Sequence, residues 1–138
     1  MNVFDLHHNI RPANALTSQA ITTAENSSIV DTAGFEKLEF IFHTGTVTTA
    51  VDVVVQDGDA ANLSDAANVA ADLILNDPDI GSNGTDLAIP AASDNVALSI
   101  GYIGKKRYVR VTVGGGSSNG TVGIVSVLAH PHHAPAQD

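Results

Sequence analysis

Alternation of apolar and polar residues is the feature of this sequence that most limits its fold. In residues 37–43, Leu38, Phe40 and Phe42 share one face, and polar residues fill the other except at Ile41. The same period of two recurs in segments 49–56, 96–103 and 107–113. This period is typical of a β-strand with one buried face and argues against an amphipathic helix.

The composition agrees with strands. The 138 residues suffice for one domain, and its core must be aliphatic because aromatic residues make up 4% of the chain. Of the 15 acidic residues 12 are Asp, which favours turns, and only three are Glu. The chain has no Cys, which excludes disulfides and thiolate zinc sites. A net charge of −9 disfavours binding to nucleic acid or to an anionic membrane.

The clearest strands are predicted in the second half of the chain. Segments 96–103 and 107–113 are separated by Gly104 and Lys105, and we expect them to form a hairpin. A glycine-rich tract at 114–120 precedes an almost continuous apolar run over 121–129, which suits a well-covered strand. These three strands are predicted to form a meander.

The rest of the chain gives weaker patterns. Segments 20–24 and 28–30 are predicted as strands, and 60–68 as a short helix or a loop. A strand is predicted over 71–76, and the composition of 77–86 indicates a surface loop.

Together these elements predict an all-β protein, an antiparallel β-sandwich that is jelly-roll-like, with flexible N- and C-terminal arms. The predicted boundaries are an N-terminal arm over 1–18, a sandwich domain over 19–130 and a C-terminal tail over 131–138. The first residues lack a basic region followed by an apolar run, so we expect neither a signal peptide nor a membrane anchor.

The histidines are the first candidates for chemistry. His130 and His132 would project to the same side of an extended chain, a spacing that can hold zinc if a third ligand is supplied. The sequence supplies no such ligand in a recognisable pattern, and it has no Gly-x-Ser-x-Gly elbow. We therefore predict no catalytic residues, no cofactor and no metal site, and we expect the protein not to be an enzyme. Binding of Ca²⁺ by the Asp-rich loops stays open.

The basic residues are unevenly placed. Lys105, Lys106, Arg107 and Arg110 are four of only six in the chain. One interpretation is a docking contact with an acidic surface on a partner or on a second copy. The other is a lysine-guarded sheet edge that prevents aggregation.

Two segments carry a resemblance. Residues 100–113 read IGYIGKKRYVRVTV and residues 123–135 read GIVSVLAHPHHAP, while IVDTAGFE at 29–36 fits more loosely. The chain thereby resembles a family of small structural proteins of tailed bacteriophages, encoded among the head genes. It departs from that pattern at His132 and His133, where a basic residue is expected after the proline.

The resemblance implies a virion protein, made in the bacterial cytoplasm and placed on the capsid as a decoration, cement or minor head protein. Its expected partners are the major capsid protein and copies of itself in a homo-oligomer, without nucleic acid or membrane. The predicted partner-binding residues are Lys105, Lys106, Arg107, Tyr108 and Arg110 for docking, with Phe4, Leu6, His130 and Pro131 in the arms.

Two alternatives stay open. One is a neck, connector or tail-associated virion protein. The other is a carbohydrate-binding module, in which Tyr102 and Tyr108 would be the stacking residues.

Overall fold

A computed structural model of the chain describes residues 5–81 and 87–133. Within these ranges the chain forms eleven strands: β1 (Ile10–Ile21), β2 (Glu25–Asn26), β3 (Val30–Asp31), β4 (Phe35–Thr49), β5 (Val51–Gly58), β6 (Ala67–Asn68), β7 (Ile74–Asn76), β8 (Leu87–Ile89), β9 (Ala97–Tyr102), β10 (Tyr108–Val113) and β11 (Asn119–Pro131). Three short 3₁₀ helices accompany them, at His7–Asn9, Ala71–Leu73 and Pro78–Ile80. None of the helices in the described ranges is long and apolar enough to cross a membrane.

The strands form two antiparallel sheets. The first sheet has the order β1-β11-β4-β9-β7. In the second sheet β10 pairs with β5 on one side and with β2 and β3 on the other, and β6 and β8 pair with the far side of β5. Because the long strands pass back and forth between the sheets, the connectivity is that of a jelly roll, and the predicted all-β sandwich is confirmed.

The core lies between the sheets, where alternate residues of each strand meet. Leu38, Phe40 and Phe42 of β4 are buried, as the alternation predicted. Val51, Val53 and Val55 of β5 and Val109, Val111 and Val113 of β10 face them from the second sheet. The core is therefore almost entirely aliphatic around two phenylalanines.

The predicted hairpin is wrong. β9 lies in the first sheet against β4 and β7, whereas β10 lies in the second sheet against β5. The chain between them, residues 103–107, crosses from one sheet to the other, and the chain crosses back before β11, so the predicted meander is also wrong. Alternation reveals which face of a strand is buried, but both sheets bury a face in the same core, so it does not reveal the partner strand.

The boundary of the N-terminal arm also differs from the prediction. Residues 10–18, predicted as part of the arm, belong to β1, an edge strand of the first sheet. Its pairing with β11 shifts register between Asn14 and Leu16 and again between Leu16 and Gln19. These bulges break the period of two, and an edge position accommodates Pro12, so the strand escaped detection.

In the middle of the chain the structure agrees with some predictions and differs from others. Residues 60–66 form turns around the buried Leu63, and β6 follows at Ala67. The strand predicted over 71–76 covers only β7, because a 3₁₀ helix occupies Ala71–Leu73. The predicted loop over 77–86 contains a 3₁₀ turn that buries Ile80, and its last five residues lie outside the described ranges.

Candidate functional site

Antiparallel pairing brings several strand ends together at one end of the sandwich. In the first sheet the start of β4 at Phe35 faces Pro131 at the finish of β11. The start of β1 at Ile10 faces Ala129, which also belongs to β11. In the second sheet Tyr108, the first residue of β10, pairs with Gly58, the last residue of β5. We call this part of the molecule the 103–107 end, because the crossing between the sheets lies there.

The 103–107 end collects most of the predicted partner-binding residues. They come from three separate parts of the chain: Leu6, then Lys105, Lys106, Arg107 and Tyr108, and finally His130 and Pro131. Arg110 lies two residues into β10, on the outer face of the second sheet, and its Nε donates to Oε1 of Gln56 at 3.0 Å. Phe4 lies outside the described residues.

Two of the clustered cations already have acidic partners within the chain. Arg107 donates from Nε and from a terminal nitrogen to the two carboxylate oxygens of Asp31, at 2.8 and 2.9 Å. Its guanidinium also lies over the ring of Tyr108, 5.1 Å from the centroid. Lys106 pairs with Asp59. The hydrogen bonds from Arg107 lower the pKa of Asp31, and the bond to Asp59 raises the pKa of Lys106.

The crossing is also fixed by hydrogen bonds from Tyr102 and Thr32. The hydroxyl of Tyr102 donates to Oδ2 of Asp57 at 2.6 Å and accepts from the backbone N–H of Lys106 at 3.1 Å. The backbone N–H and the hydroxyl of Thr32 both donate to the carbonyl of Arg107 at 2.9 Å. Burial and the Asp57 carboxylate raise the pKa of Tyr102 far above its ordinary value. The crossing is therefore held by β3, β5 and β9 together.

These contacts change the two interpretations of the basic cluster. The guarded-edge interpretation is wrong, because β10 is flanked by strands on both sides and β9 likewise. The cluster is also less positive than its sequence indicates, since Lys106 and Arg107 are paired with carboxylates. Lys105 is exposed and, within the described ranges, has no ion-pair partner. Arg110 also lacks a carboxylate partner among the described residues, but it is half-buried and bonded to Gln56, so Lys105 is the more accessible of the two cations.

Residues near both limits of the described structure line one cleft at this end. The cleft has a volume of about 750 Å³, and its wall includes Leu6, Glu36, His130, Pro131 and His132. Leu6 is 72% exposed. Segments predicted as separate arms thus share one surface.

The cleft does not match the metal geometry considered from the sequence. His130 has a φ of 53°, so the chain is not extended there and the assumed projection of His130 and His132 to one side fails. His132 lies 3.9 Å from Glu36, and the ring of His8 contacts Asp5 at 2.8 Å. Among the described residues no group of three or more His, Asp or Glu side chains could hold a metal ion.

Carboxylates of the Asp-rich loops accept backbone N–H groups, of a turn in the case of Asp65 and of strand β4 in the case of Asp94. Asp65 accepts from the N–H groups of Asp59 and Ala60, at 2.8 and 3.1 Å, and these bonds lower its pKa. Asp94 accepts from the N–H of Val47 at 2.7 Å. These carboxylates act as turn residues, as the high Asp content indicated.

The outer face of the second sheet is polar and satisfies its own hydrogen bonds. Beyond the bond from Arg110, Gln56 donates to Asn68 at 3.1 Å, and Thr112 donates to Asn26 at 2.7 Å. Side chains therefore bridge neighbouring strands across much of this face.

The outer face of the first sheet carries apolar side chains beside a few charged and polar ones, and sequence reasoning missed this apolar character. Val125 of β11 lies opposite Ile41 of β4, and Val127 lies opposite Glu39. Leu75 is 60% exposed, and Ile103 is 43% exposed. Two signals were present in the sequence: Ile41 broke the alternation of its strand, and residues 121–129 were almost continuously apolar.

Comparison with known proteins identifies a solved structure that shares this fold. No family model matches the sequence, and no curated protein matches it. The chain is similar to the crystal structure of the SPBc2 prophage-derived protein YomS, with a TM-score of 0.59 and 14% identity, over 88% of this chain and 94% of that one. It also matches a structure of Bacillus endospore appendages, which form disulfide-linked pili, with a TM-score of 0.47 and 12% identity, over 95% and 99% of the two chains. At this identity, the likeness to the prophage protein establishes a shared fold.

Proposed function

We propose that the chain is a structural protein of a bacteriophage virion, which attaches to the outer shell of the head as a decoration or cement protein. Two observations favour a phage origin: the resemblance of segments 100–113 and 123–135 to phage head proteins, and the fold shared with a prophage-derived protein. The observation that carries the docking role is the convergence of three distant predicted segments at the 103–107 end.

The 103–107 end supplies what a docking surface needs. It combines the exposed cation of Lys105, the exposed apolar side chain of Leu6 and the cleft walled by His130 and Pro131. The bonds from Tyr102 hold the crossing in one conformation, so little entropy is lost when a partner binds. Even where each such contact is weak, binding to the shell becomes strong when many linked contacts form at once.

In this proposal the protein acts by burying surface across joints of the shell, without chemistry. Its partners are the major capsid protein and further copies of itself. It binds no nucleic acid, in keeping with its net charge of −9.

A carbohydrate-binding role finds less support in the geometry. Tyr102 is only 5% exposed, and one face of the Tyr108 ring is covered by the Arg107 guanidinium. Tyr102 therefore offers no open ring face on which a sugar could stack, and Tyr108 offers at most one.

Quantitative mass spectrometry of purified phage particles tests the virion role. A molar ratio to the major shell protein near one, or a fixed simple fraction of it, is the expected result. About a dozen copies or fewer would move the protein to the neck or tail, where assemblies have low-order rotational symmetry. Absence from particles would overturn the virion role.

A charge reversal tests the docking surface. Lys105→Glu should lower the occupancy of the particle, because it removes the available cation at the 103–107 end. The matched control is the double variant Thr46→Glu/Thr49→Glu, which alters the net charge equally at exposed positions near the opposite end. Equal losses in both variants, or no loss in Lys105→Glu, would refute docking through this end.

A further inference from the structure

The two outer faces of the sandwich differ in a way that folding alone does not require. Side-chain hydrogen bonds such as that between Gln56 and Asn68 cover the second sheet. The first sheet instead presents exposed apolar side chains, Val125 in β11 and Leu75 in β7, and Ile103 follows directly after β9. Exposed apolar side chains grouped on one sheet face are a mark of an interaction surface.

A depression in this apolar face contains two opposite charges. Its volume is about 330 Å³, and Lys37, Glu39, Val127, Leu75 and Ile103 contribute to its wall. Lys37 and Glu39 are two residues apart on β4 and point to the same side. Neither has an ion-pair partner in the described part of the chain.

The carboxylate of Glu39 is only partly exposed to solvent. It is half-buried, and this burial raises its pKa, while a hydrogen bond from Ser99 offsets part of the effect. A Cβ atom added to Gly101 would come within 2.8 Å of Oε2 of Glu39, so the carboxylate lies against the neighbouring strand. A carboxylate in this setting is stabilised by a cation that arrives with a partner.

We propose that the outer face of the first sheet is the interface between two copies of this chain, packed face to face about a two-fold axis. An isologous interface must be self-complementary, and one lysine beside one carboxylate on an apolar face meets that condition. With the axis crossing β4 between positions 37 and 39, Lys37 of each copy faces the partner's Glu39. The apolar side chains around them lose their contact with water.

This inference rests on the proposed function only in taking a second copy as a partner. Its test uses the purified chain alone. A chain that forms no dimer would therefore contradict this inference without contradicting the proposed incorporation into virions.

Sedimentation equilibrium over a range of protein concentrations tests the interface. The chain should associate into dimers, and Val125→Asp should weaken the association at least about tenfold by placing a charge in the apolar face. The matched control is Val54→Asp, which places the same charge on the outer face of the second sheet. It should leave the association within about twofold of the unmodified chain. Thermal unfolding of both variants verifies that they fold.

A charge swap tests the two-fold pairing. Lys37→Glu and Glu39→Lys should each weaken the dimer, because each variant opposes like charges, and the double variant should restore it. A chain that stays monomeric at every concentration overturns the inference. So does equal weakening by Val125→Asp and Val54→Asp, or a double variant no stronger than the single ones.

Discussion

Replacing Tyr102 by Phe tests how the crossing between the two sheets is held. The substitution removes one oxygen atom and keeps the ring in its buried position. That oxygen donates to the Asp57 carboxylate at 2.6 Å and accepts from the backbone N–H of Lys106 at 3.1 Å. The variant thus breaks a bond from β9 to β5 and a bond within the crossing at once.

The expected loss follows from the charge on the acceptor. A hydrogen bond to a charged group contributes roughly 1.5–3 kcal/mol, and the Lys106 N–H loses its acceptor as well. We expect Tyr102→Phe to lower the free energy of unfolding by about 2 kcal/mol, which is a drop of roughly 4–8 °C in Tm for a chain of this size. The ring fills the same space, so no cavity contributes.

Urea unfolding at neutral pH measures the effect, and Tyr108→Phe is the matched control. No hydrogen bond to the Tyr108 hydroxyl occurs in the described structure, and its ring is half-buried at the same end. This control should stay within about 0.5 kcal/mol of the unmodified chain. If Tyr102→Phe changes stability no more than the control does, the crossing is not held by this hydroxyl.

The same pair of variants gives a pH test. Burial and the Asp57 carboxylate raise the pKa of Tyr102 above its ordinary value of 10.0. Above that pH the unfolded chain loses its phenolic proton while the folded chain keeps it, so stability falls as the pH rises. Tyr102→Phe should lack this part of the alkaline decline, and Tyr108→Phe should retain it.

Three further predictions concern other parts of the fold. Gly114→Ala should cost more than about 2 kcal/mol, because a Cβ there would meet a methyl group at 2.5 Å and a carbonyl oxygen at 2.6 Å. Gly34→Ala has nearly the same positive φ but open space, so urea unfolding should show a loss of only about 1–2 kcal/mol. Asp31→Asn should lower the free energy of unfolding, because it removes the ion pair with Arg107. That pair contributes to stability above the ordinary pKa of Asp31, 3.8, and its contribution is lost as the pH falls through the lowered pKa. The effect of the substitution should also shrink in high salt. Burial raises the pKa of Glu39, so acidification from neutral pH towards 4.5 should stabilise the unmodified chain relative to Glu39→Gln, as thermal melts at several pH values would measure.

The sequence predicted the buried faces well because each depends on local spacing alone. Phe40 and Phe42 are fully buried, as alternation required. Strand partners depend on distant residues instead. The crossing after β9 is fixed by the bond from Tyr102 to Asp57, which is 45 residues away, and no local pattern encodes it.

Charge clustering found the basic residues but overestimated their free charge. Arg107 pairs with Asp31, 76 residues away, and Lys106 pairs with Asp59, 47 residues away. Asp is the commonest charged residue in this chain, so a nearby carboxylate could be expected for any cation, but which one depends on the sheet order. The apolar outer face of the first sheet required the sheet order too, because its residues come from β4, β7 and β11.

The predicted partner-binding residues meet at the 103–107 end even though the predicted hairpin of β9 and β10 is wrong, and the reason is topological. Hydrogen-bonded neighbours in each sheet run in opposite directions, and only residues 103–107 join β9 to β10. The finish of β9 and the start of β10 therefore share an end of the molecule, whether the two strands form a hairpin or cross between sheets. β11 runs in the direction of β9 and finishes at that end, and β1, antiparallel to β11, begins there. The directions of β9, β10, β11 and β1 bring Leu6, Lys105 and Pro131 together. The short connection after β9 could be predicted from the sequence, whereas the placement of Leu6 could not, because β1 was not predicted.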